Sequence, residues 1–582
     1  MSAMFNGIGV SKGIAIGTAY VLYREQPEVP EYLIDEKRID HEISRFIRAR
    51  QIALQQLKDI KQKVSGDVPP DITQFIDTSL LMIDDPVLAD GTINAIQHKN
   101  RNAEWALQVQ CERLVKVFDE MDDPYLKTRK DDVIHVVQRI QRCLSTDIDP
   151  ELPDEDEDHL KGRIIIADDL TPADTLLMQH QKVAAFITEY GGPLSHTAIL
   201  ARNLGIPAIV GVHHAKQMIH AGEVLVVDGQ HGMIVAEPDS KTQRHFRRLQ
   251  KDEKQRRQNL FELKNKPSIT EDGHKITLQA NIDRPDDIRA MRQYDHTGVG
   301  LYRTEMLFME RNENPSEEIQ FETYRRALRA LKGHPLTIRT ADLGADKEMD
   351  STLQHGPLAH NPAMGLRAIR RCLKEPRQFL RQLRAILRTG AYGPVLMMIP
   401  MLTCVSELKQ TLELLEQAKQ QLKQRKVRFN PNIKIGAMIE VPAAALSAQN
   451  FAERLDFLSI GTNDLIQYTL ALDRIDDEVS YLYKPMHPSV LKLIDIILQA
   501  GQQASIPVSM CGEMASDPNY TRLLLGLGLK CFSVQANSLL EIKHIINHSR
   551  LDILAPEVRE LLKHSCTCDI ERGLEELNLK YS

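Results

Sequence analysis

The sequence has few aromatic residues and no excess of positive charge. Aromatic side chains make up 5% of its 582 residues, with a single tryptophan, and the formal net charge is −7. Proteins that bind nucleic acids usually combine a basic face with interleaved aromatic side chains. The composition, with 42% hydrophobic and 26% charged residues, is typical of a soluble globular protein. We therefore predict no nucleic-acid partner.

Long hydrophobic runs are also missing. The longest apolar stretch, at 395–402, is far shorter than the roughly 18 residues that a membrane-spanning helix needs. The amino-terminal residues lack the basic segment and apolar stretch of a secretory signal. The sequence therefore predicts a cytoplasmic protein that does not insert into a membrane.

The eight cysteines follow no regular spacing and include no Cys-x-x-Cys pair. This distribution argues against a disulfide scaffold and against a structural zinc site. We interpret the cysteines as free thiols. A redox pair formed by Cys566 and Cys568 is the alternative for that segment, for which two free thiols are the preferred interpretation.

The length of the chain predicts two to four structural units, at roughly 100–200 residues per domain. In the amino-terminal part, apolar residues recur three and four residues apart, which indicates a bundle of roughly four amphipathic helices. The helical segments are 33–64, 72–82, 105–118 and 133–144, with Asp-Asp-Pro breaks at 84–86 and 122–124.

An acidic, proline-containing linker at 147–158 separates the helical segments from a run of short β-rich stretches. These stretches predict a small α/β unit. The segment 240–266 is rich in lysine and arginine and indicates an exposed connecting helix, for which a solvated face is preferred over a site for an acidic partner. The β-rich stretches are 163–167, 183–188, 208–212, 224–228 and 233–236.

Beyond residue 270, eight apolar runs alternate with helical stretches, which predicts a (β/α)₈ barrel. Barrel enzymes build their active sites at the carboxyl ends of the strands, and polar residues follow these runs. The runs are 276–282, 298–302, 336–341, 395–401, 434–439, 457–460, 507–510 and 531–534. The polar residues at their ends include Asn281, Arg303, Glu305, Arg339, Asp342, Glu440, Asn463, Asp464, Glu513 and Gln535.

Two of these residues are carboxylates that suit a metal ion. Glu440 and Asp464 follow neighbouring runs, and Mg²⁺ typically takes one or two protein carboxylates beside water and substrate oxygens. Four arginines carry planar cations that match phosphate and carboxylate groups. Together they predict a site for a small, multiply charged anion; pairing of each arginine with a nearby carboxylate is the alternative. The arginines are Arg303, Arg339, Arg367 and Arg474.

Cys511 ends the seventh run, so its thiol is expected at the same end of the barrel. A thiol can give a proton to an enolate near neutral pH. Spacing alone nevertheless favours a buried structural cysteine.

His196 lies in Gly-Gly-Pro-Leu-Ser-His-Thr at 191–197, between a β-like run and a helical pattern. Glycines permit a tight turn, and the first amides of a helix suit an anionic group. Histidine is a nucleophile that stays uncharged near neutral pH, as a phosphoryl carrier requires. Because the chain has 20 histidines, an ordinary structural histidine is the alternative.

The motifs, taken in order, resemble enzyme I of the bacterial phosphoenolpyruvate:sugar phosphotransferase system over nearly the whole chain. The matching stretches are Gly-Gly-x-x-Ser-His-Thr at 191–197, Gly-Leu-Tyr-Arg-Thr-Glu at 300–305, Glu-Val-Pro-Ala-Ala-Ala at 440–445, Ser-Ile-Gly-Thr-Asn-Asp-Leu at 459–465 and Met-Cys-Gly-Glu at 510–513.

The resemblance implies a role for each matched residue. His196 would carry the phosphoryl group on Nε2, with Thr175 as a neighbour, and Cys511 would protonate the enolate of pyruvate. Glu440 and Asp464 would hold Mg²⁺. The residues implied to bind phosphoenolpyruvate are Arg303, Arg339, Asn463, Asp464 and Arg474, with Arg367 nearby.

The resemblance also implies a domain plan. A swivelling α/β phosphohistidine domain would comprise 1–32 and 145–239, with a helical subdomain at 33–144 that binds the phosphocarrier protein HPr. A linker helix at 240–266 would lead to a barrel at 267–582 that binds phosphoenolpyruvate and forms a homodimer.

One departure lies in the histidine loop, where Pro193 and Leu194 replace residues that are commonly polar in relatives. We expect slower or retuned transfer rather than inactivity. One alternative is a relative of pyruvate phosphate dikinase that lacks the ATP-binding domain, since we expect no such domain before residue 1. The other is a regulatory homologue without activity.

Overall fold

A computed structural model describes residues 3–22, 29–63, 70–119, 124–145, 160–170, 182–192, 198, 201, 205–295, 297–309, 314–344, 362–474 and 479–581. The chain forms two compact units, Met1–Gln255 and Arg256–Ser582. No helix in these ranges is both long enough and apolar enough to span a membrane.

The first unit contains a helical bundle whose core is formed by Phe46, Ile83, Ile96, Leu107 and Ile140, all fully buried. Each of these side chains comes from a different helix, which explains why the apolar residues recur at helical spacing. The helices are α1 Ile39–Lys63, α2 Pro70–Asp84, α3 Pro86–Lys99, α4 Ala103–Asp119 and α5 Pro124–Ser145.

The bundle is predicted from the sequence, but the expected number of about four helices is too low. The Asp-Asp-Pro segment at 84–86 joins two helices directly. Asp85 caps α3 by accepting a hydrogen bond from the amide of Val87 at 2.7 Å, and Pro86 occupies the first helical position. The start of the first helix also differs, because Glu36–Arg38 form a short 3₁₀ helix and α1 begins at Ile39.

The same unit contains a sheet of eight strands in the order β1-β8-β7-β3-β4-β5-β6-β2. Strands β3 to β6 pair in parallel, and the remaining pairs are antiparallel. The five predicted β-rich stretches each contain a strand, whereas the three amino-terminal strands were not predicted. The strands are β1 Ala3–Asn6, β2 Ile8–Ser11, β3 Ile14–Val21, β4 Ile164–Ala167, β5 Ala185–Thr188, β6 Ala208–Val210, β7 Val224–Asp228 and β8 Met233–Ala236.

A short helix α6, Ala215–Met218, follows β6, and a long helix α7, Ser240–Phe261, follows β8. Phe246 is the buried residue of α7 and packs with Val226 and Val235 of the sheet. Most other side chains of α7 are exposed. The prediction of a basic, exposed helix in this segment is confirmed.

The second unit is a closed barrel of eight parallel strands, as the alternating runs predict. Every strand lies within one of the predicted runs. The strands are β9 Thr277–Ile282, β10 Val299–Tyr302, β11 Leu336–Arg339, β12 Val395–Ile399, β13 Lys434–Ile439, β14 Phe457–Ile460, β15 Val508–Met510 and β16 Cys531–Val534.

Helices of the second unit follow the strands and cover the barrel, with a buried core that includes Tyr302, Tyr324, Phe451 and Phe532. They are α8 Asp287–Tyr294, α9 Glu305–Met309, α10 Glu317–Ala330, α11 Ala368–Lys374, α12 Pro376–Thr389, α13 Val405–Gln424, α14 Pro442–Leu446, α15 Ala448–Ala452, α16 Thr462–Leu470, α17 Pro488–Ala504, α18 Glu513–Ser516, α19 Pro518–Gly526, α20 Leu539–Asn547, α21 Leu551–Leu561 and α22 Thr567–Lys580.

Candidate active site

The strand register brings the predicted barrel residues to one end of the barrel. Ile439 of β13 lies opposite Ile460 of β14, and Ile460 lies opposite Met510 of β15. Glu440 and Cys511, which come directly after these strands, therefore stand at the same level. Parallel strands place all their carboxyl ends at this end of the barrel.

Arg339, the last residue of β11, is buried and anchors the centre of the site. Its Nη2 lies 2.8 Å from Glu305 Oε1 and 3.5 Å from Asp342 Oδ2. Burial opposes its charge, but the carboxylates of Glu305 and Asp342 outweigh this effect and raise the pKa of Arg339 above its usual value. The Nε atom of Arg339 has no hydrogen-bond partner among the described residues.

Arg367 lies directly before the first residue of α11 and makes a bidentate ion pair with Asp342. Its Nε and Nη2 donate to the two carboxylate oxygens of Asp342 at 3.0 and 2.8 Å. Its Nη2 also lies 3.5 Å from Asp464 Oδ2, and its Nη1 donates to the Tyr468 hydroxyl at 3.2 Å. Arg367 thus joins the segment after β11 to the helix that follows β14.

Arg303 and Arg474 stand at the more exposed edge of the site, each with 37% of its side chain accessible. Arg303 Nη1 lies 3.0 Å from Asp283 Oδ1, and Arg474 Nη1 lies 3.8 Å from Asp464 Oδ1. All four predicted arginines therefore have a carboxylate neighbour. The pair of Arg303 with Asp283 is exposed on both sides, and such pairs contribute at most about 1 kcal/mol, so Arg303 can turn to an incoming anion at little cost.

Glu440 is 2% exposed, and its Oε1 accepts a hydrogen bond from the amide of Met401 at 2.8 Å. Burial and the nearby charge of Asp464 raise the pKa of Glu440 to about 8. Gly461 lies beside this carboxylate, since a Cβ atom there would stand 2.8 Å from Glu440 Oε2. Two carboxylates that repel each other in a buried site favour the binding of a cation between them.

The donor set fits a magnesium ion. Within the ranges that the structure describes, no group of three or more His, Cys, Asp or Glu side chains has the arrangement of a metal cage. A pair of carboxylates is nevertheless the usual protein contribution to Mg²⁺, which keeps its other positions for water and substrate oxygens. Glu440 and Asp464 supply such a pair.

Cys511 follows β15 and is 2% exposed. Its sulfur accepts a hydrogen bond from the Ser459 hydroxyl at 3.3 Å and lies 3.6 Å from the carbonyl oxygen of Ile460. Burial raises the pKa of Cys511, although Ser459 and Arg303 act in the opposite direction. The thiol therefore keeps its proton at neutral pH, as an acid must.

Asn463 connects the segments that follow β14 and β15. Its side chain donates to Glu513 Oε1 at 3.0 Å and accepts from the Glu513 amide at 2.8 Å. In a similar way Asn281 of β9 donates to the carbonyl oxygen of Cys511 at 3.0 Å, and Ser533 donates to Asn281 at 2.6 Å. These polar contacts hold the loop that carries Cys511 in place.

Some members of the site were not assigned a role from the sequence. Glu305 and Asp342 are the carboxylates that pair with Arg339 and Arg367. In the sequence, their positions directly after β10 and β11 were the feature that could have pointed to this role. Ser459, which donates a hydrogen bond to Cys511, lies in strand β14, two residues before Gly461. Tyr468 lies inside a helix, and no pattern in the sequence marks it as a neighbour of Arg367.

His196 and Thr175, like Pro193 and Leu194, lie outside the described residues. The described flank of the histidine loop fits the predicted tight turn, because Gly191 has φ 105°, which favours glycine. Upstream of it, the hydroxyl of Thr188 donates to the carbonyl oxygen of Tyr190 at 2.7 Å.

Three family models match the chain. The model for the PEP-binding domain of PEP-utilising enzymes matches residues 257–551. The model for their mobile domain matches residues 160–232, and the model for their N-terminal domain matches residues 6–129. The PEP-binding match contains all the described residues of the candidate site at the end of the barrel.

Similar proteins bear one common name, phosphoenolpyruvate-protein phosphotransferase. The protein of Cupriavidus necator is 42% identical over 569 residues, which cover 97% of both chains. That of Listeria innocua is 36% identical over 584 residues, covering 100% of both chains, and that of Bacillus subtilis is 38% identical over 539 residues, covering 92% of both. The chain therefore belongs to the phosphoenolpyruvate-protein phosphotransferases, a family of phosphoenolpyruvate-utilising enzymes.

Proposed function

We propose that the enzyme takes the phosphoryl group of phosphoenolpyruvate onto its own His196, releases pyruvate, and passes the phosphoryl group to a histidine of HPr. This reaction is the first step of the sugar phosphotransferase system. The observation that carries the proposal is the meeting of buried arginines, paired carboxylates and a protonated thiol at one end of the barrel.

Phosphoenolpyruvate carries a phosphate and a carboxylate, and the arginines suit both groups. In our proposal Arg303, Arg339 and Arg474 bind these groups with Asn463, and Arg367 holds Asp464 in position. Arg339 is fixed by Glu305 and retains an Nε donor without a partner among the described residues. A site that is already ordered before substrate binds loses less conformational entropy on binding.

Glu440 and Asp464 would hold Mg²⁺ in this site, together with substrate oxygens. When bound, the ion would offset the negative charge of the phosphoryl group. The raised pKa of Glu440 supports this assignment, because burial and Asp464 disfavour its charge more than the nearby Arg339 favours it, and a bound cation would favour the charge further.

The phosphoryl transfer itself requires a neutral imidazole. Nε2 of His196 attacks phosphorus, the bond from phosphorus to the enol oxygen breaks, and enolpyruvate leaves. Cys511 then gives its Sγ proton to the methylene carbon of the enolate, and the thiolate regains a proton from solvent. Protonation at carbon forms pyruvate and completes the release of the product.

The partners follow from the same proposal. The helical segment 33–144 would bind HPr, and the barrel at 267–582 would form a homodimer. The phosphohistidine domain, at 1–32 and 145–239, would swing between the barrel and HPr, with 240–266 as the connection.

The proposal is tested by labelling with radioactive phosphoenolpyruvate in the presence of Mg²⁺. The wild-type chain should become labelled and pass the label to HPr, whereas His196→Ala should remain unlabelled. His213→Ala is the control, because His213 is an exposed histidine in the same unit, and it should be labelled like the wild type. Label on His196→Ala would overturn the assignment of the phosphorylated residue.

A further inference from the structure

Two histidines at the end of one helix contact each other in the second unit, apart from the residues assigned to the reaction. His544 lies in the last turn of α20, and His548 directly follows the last residue of that helix. Their ring centroids are 4.2 Å apart, and the ring planes make an angle of 50°. Both residues are exposed. The contact therefore brings two imidazoles together at a surface that is open to solvent.

The spacing of the two histidines suits a shared ligand. Residues four apart lie on the same face of a helix, one turn from each other. Two histidines at this spacing are a recurrent arrangement for binding a zinc ion. Among the 20 histidines of the chain, His544 and His548 are the one pair with this separation. The helix itself thus sets the geometry of the pair.

A hydrogen bond to the backbone decides which nitrogen of His548 is free. Its Nδ1 lies 2.8 Å from the carbonyl oxygen of His544. A carbonyl oxygen can only accept a hydrogen bond, so Nδ1 carries the hydrogen and Nε2 carries the lone pair of the neutral ring. Histidines that bind a metal usually donate their other ring nitrogen to a carbonyl or a carboxylate in this way. His548 is therefore oriented to bind a metal through Nε2.

The surroundings of His544 favour a neutral ring, which a metal ligand must have. Burial lowers the pKa of His544 below its ordinary value of 6.5, and the nearby His548, Arg256 and Arg522 act in the same direction. At neutral pH the ring of His544 therefore keeps a lone pair for a metal ion.

The two arginines near His544 already have partners of their own. Arg256 forms an ion pair with Glu541, which offsets its charge. Arg522 donates to the carbonyl oxygen of Tyr581. The histidine pair also lies at the carboxyl end of α20, where the helix dipole favours a cation. The local charge is therefore compatible with a bound metal ion.

The donor set suits a transition-metal ion rather than Mg²⁺. Imidazole nitrogen binds Zn²⁺, Ni²⁺ and Cu²⁺, whereas Mg²⁺ prefers oxygen ligands. Two imidazoles on one tetrahedral ion have ring centres about 5 Å apart, so the observed 4.2 Å requires only a small opening of the pair. Among the residues that the structure describes, no third His, Cys, Asp or Glu completes the group. Water would fill the remaining positions.

We propose that His544 and His548 bind a divalent transition-metal ion of this class through one nitrogen each. The site is separate from the carboxylate pair assigned to Mg²⁺ and does not depend on the proposed phosphoryl transfer. Because two protein ligands hold the ion, binding is reversible, and it weakens as the pH falls and the imidazoles become protonated.

The test is a calorimetric titration of the full-length protein, without an affinity tag, with Ni²⁺ as the probe. Excess Mg²⁺ competes for the carboxylate pair. His544→Gln and His548→Gln each remove one ligand at an exposed position, and circular dichroism verifies that both variants are folded. We expect each variant to bind Ni²⁺ at least about tenfold more weakly than the wild type, the lower limit of what even an outer-shell partner contributes to metal affinity.

His564→Gln is the matched control, because it removes an exposed histidine of the same unit and leaves the pair intact. It should bind Ni²⁺ as the wild type does. The proposal is overturned if the wild type binds Ni²⁺ no more tightly than His548→Gln, or if His564→Gln weakens binding to the same extent.

Discussion

At the scale of single residues, Cys511 illustrates how a buried position and a chemical role coincide. Spacing alone favours a structural cysteine, and the thiol is indeed packed among Leu301, Met398, Met438 and Phe457. Burial is also what raises its pKa and keeps the proton on sulfur. The same burial that suits a core residue therefore suits a proton donor.

We expect Cys511→Ser to slow pyruvate release by at least about 100-fold, the usual range for the loss of a general acid. A serine hydroxyl has nearly the same shape but releases its proton far less readily than a thiol. Pyruvate formation in the presence of Mg²⁺ and HPr provides the measurement. Cys531→Ser is the control, because Cys531 is also a barrel thiol whose pKa burial raises, to about 12, yet no role is assigned to it. Equal losses in both variants would contradict a role in proton donation.

The residues that hold the arginines were harder to assign from the sequence than the arginines themselves. A carboxylate after a strand can bind a metal, a substrate or a neighbouring arginine, and its position alone does not distinguish these uses. Glu305 and Asp342 take the third role, which depends on contacts between different strands. The set of residues at the barrel end was therefore predictable, but its internal pairing was not.

At the scale of elements, the strands of the barrel were predictable because each is a short apolar run followed by polar residues. Helix α3 was missed for a physical reason. Its buried side chains are few, and they include Leu88, Ala89, Thr92 and Ile96, so small and polar residues weaken the apolar stripe. The three strands before residue 22 were missed because their pairing partners lie more than 140 residues away in sequence. Strands β1 and β2 are in addition only four residues long.

Three helical elements of the barrel meet at Glu317, the first residue of α10. Its carboxylate accepts from Arg384 at 2.7 Å, Arg388 at 2.9 Å and Arg425 at 2.8 Å. Burial opposes the charge of Glu317, but these arginines together outweigh it and lower its pKa to about 2, from an ordinary value of 4.5. The carboxylate thus joins α10 to α12 and to the end of α13.

Glu317→Gln should therefore lower the free energy of unfolding at pH 7 by about 3 kcal/mol, which corresponds to the change in pKa. The pKa of Glu317 is lower in the folded chain than in the unfolded chain. Its contribution to the free energy of unfolding is therefore complete above pH 4.5 and is lost as the pH falls through about 2. Chemical denaturation followed by circular dichroism at several pH values measures it. The control is Glu318→Gln, since Glu318 is 63% exposed and pairs with one of the same arginines, Arg388; a similar loss in this variant would contradict the prediction.

A second contact between elements joins helix α20 to the segment that follows α7. Lys543 of α20 is 2% exposed, forms an ion pair with Asp295 after α8, and donates to the carbonyl oxygens of Leu263 and Lys266 at 3.4 and 2.8 Å. One buried ammonium group thus satisfies a carboxylate and two backbone acceptors.

Lys543→Met should destabilise the second unit by about 3–5 kcal/mol, because it breaks a buried ion pair by removing one of its two charges. The double variant Lys543→Met with Asp295→Asn removes the remaining charge and should recover part of the loss. Thermal unfolding of Lys543→Met, Asp295→Asn and the double variant, each compared with the wild type, gives the three values that the comparison needs. If the double variant were as unstable as the sum of the two single variants, the ion pair would not be the source of the stability.

At the scale of the whole molecule, the residues of the proposed reaction are divided between two compact units. The described residues assigned to phosphoenolpyruvate, the metal and the proton all belong to Arg256–Ser582, whereas His196 belongs to the range Met1–Gln255. A defect in the barrel should therefore affect the exchange with phosphoenolpyruvate and leave the exchange with HPr intact.

Arg303→Ala provides the test, because Arg303 is partly exposed and can be removed without opening the core. Labelling by phosphoenolpyruvate should fall at least about 100-fold, the usual cost of losing one charged donor at a developing anion. Labelling by phosphorylated HPr, which enters by the reverse reaction, should be unchanged, since it needs no group of the barrel. Arg454→Ala, which removes an exposed arginine paired with Glu453, should leave both reactions unchanged. If Arg303→Ala lost both reactions together, the two units would act as one site, and the division of labour proposed for them would be wrong.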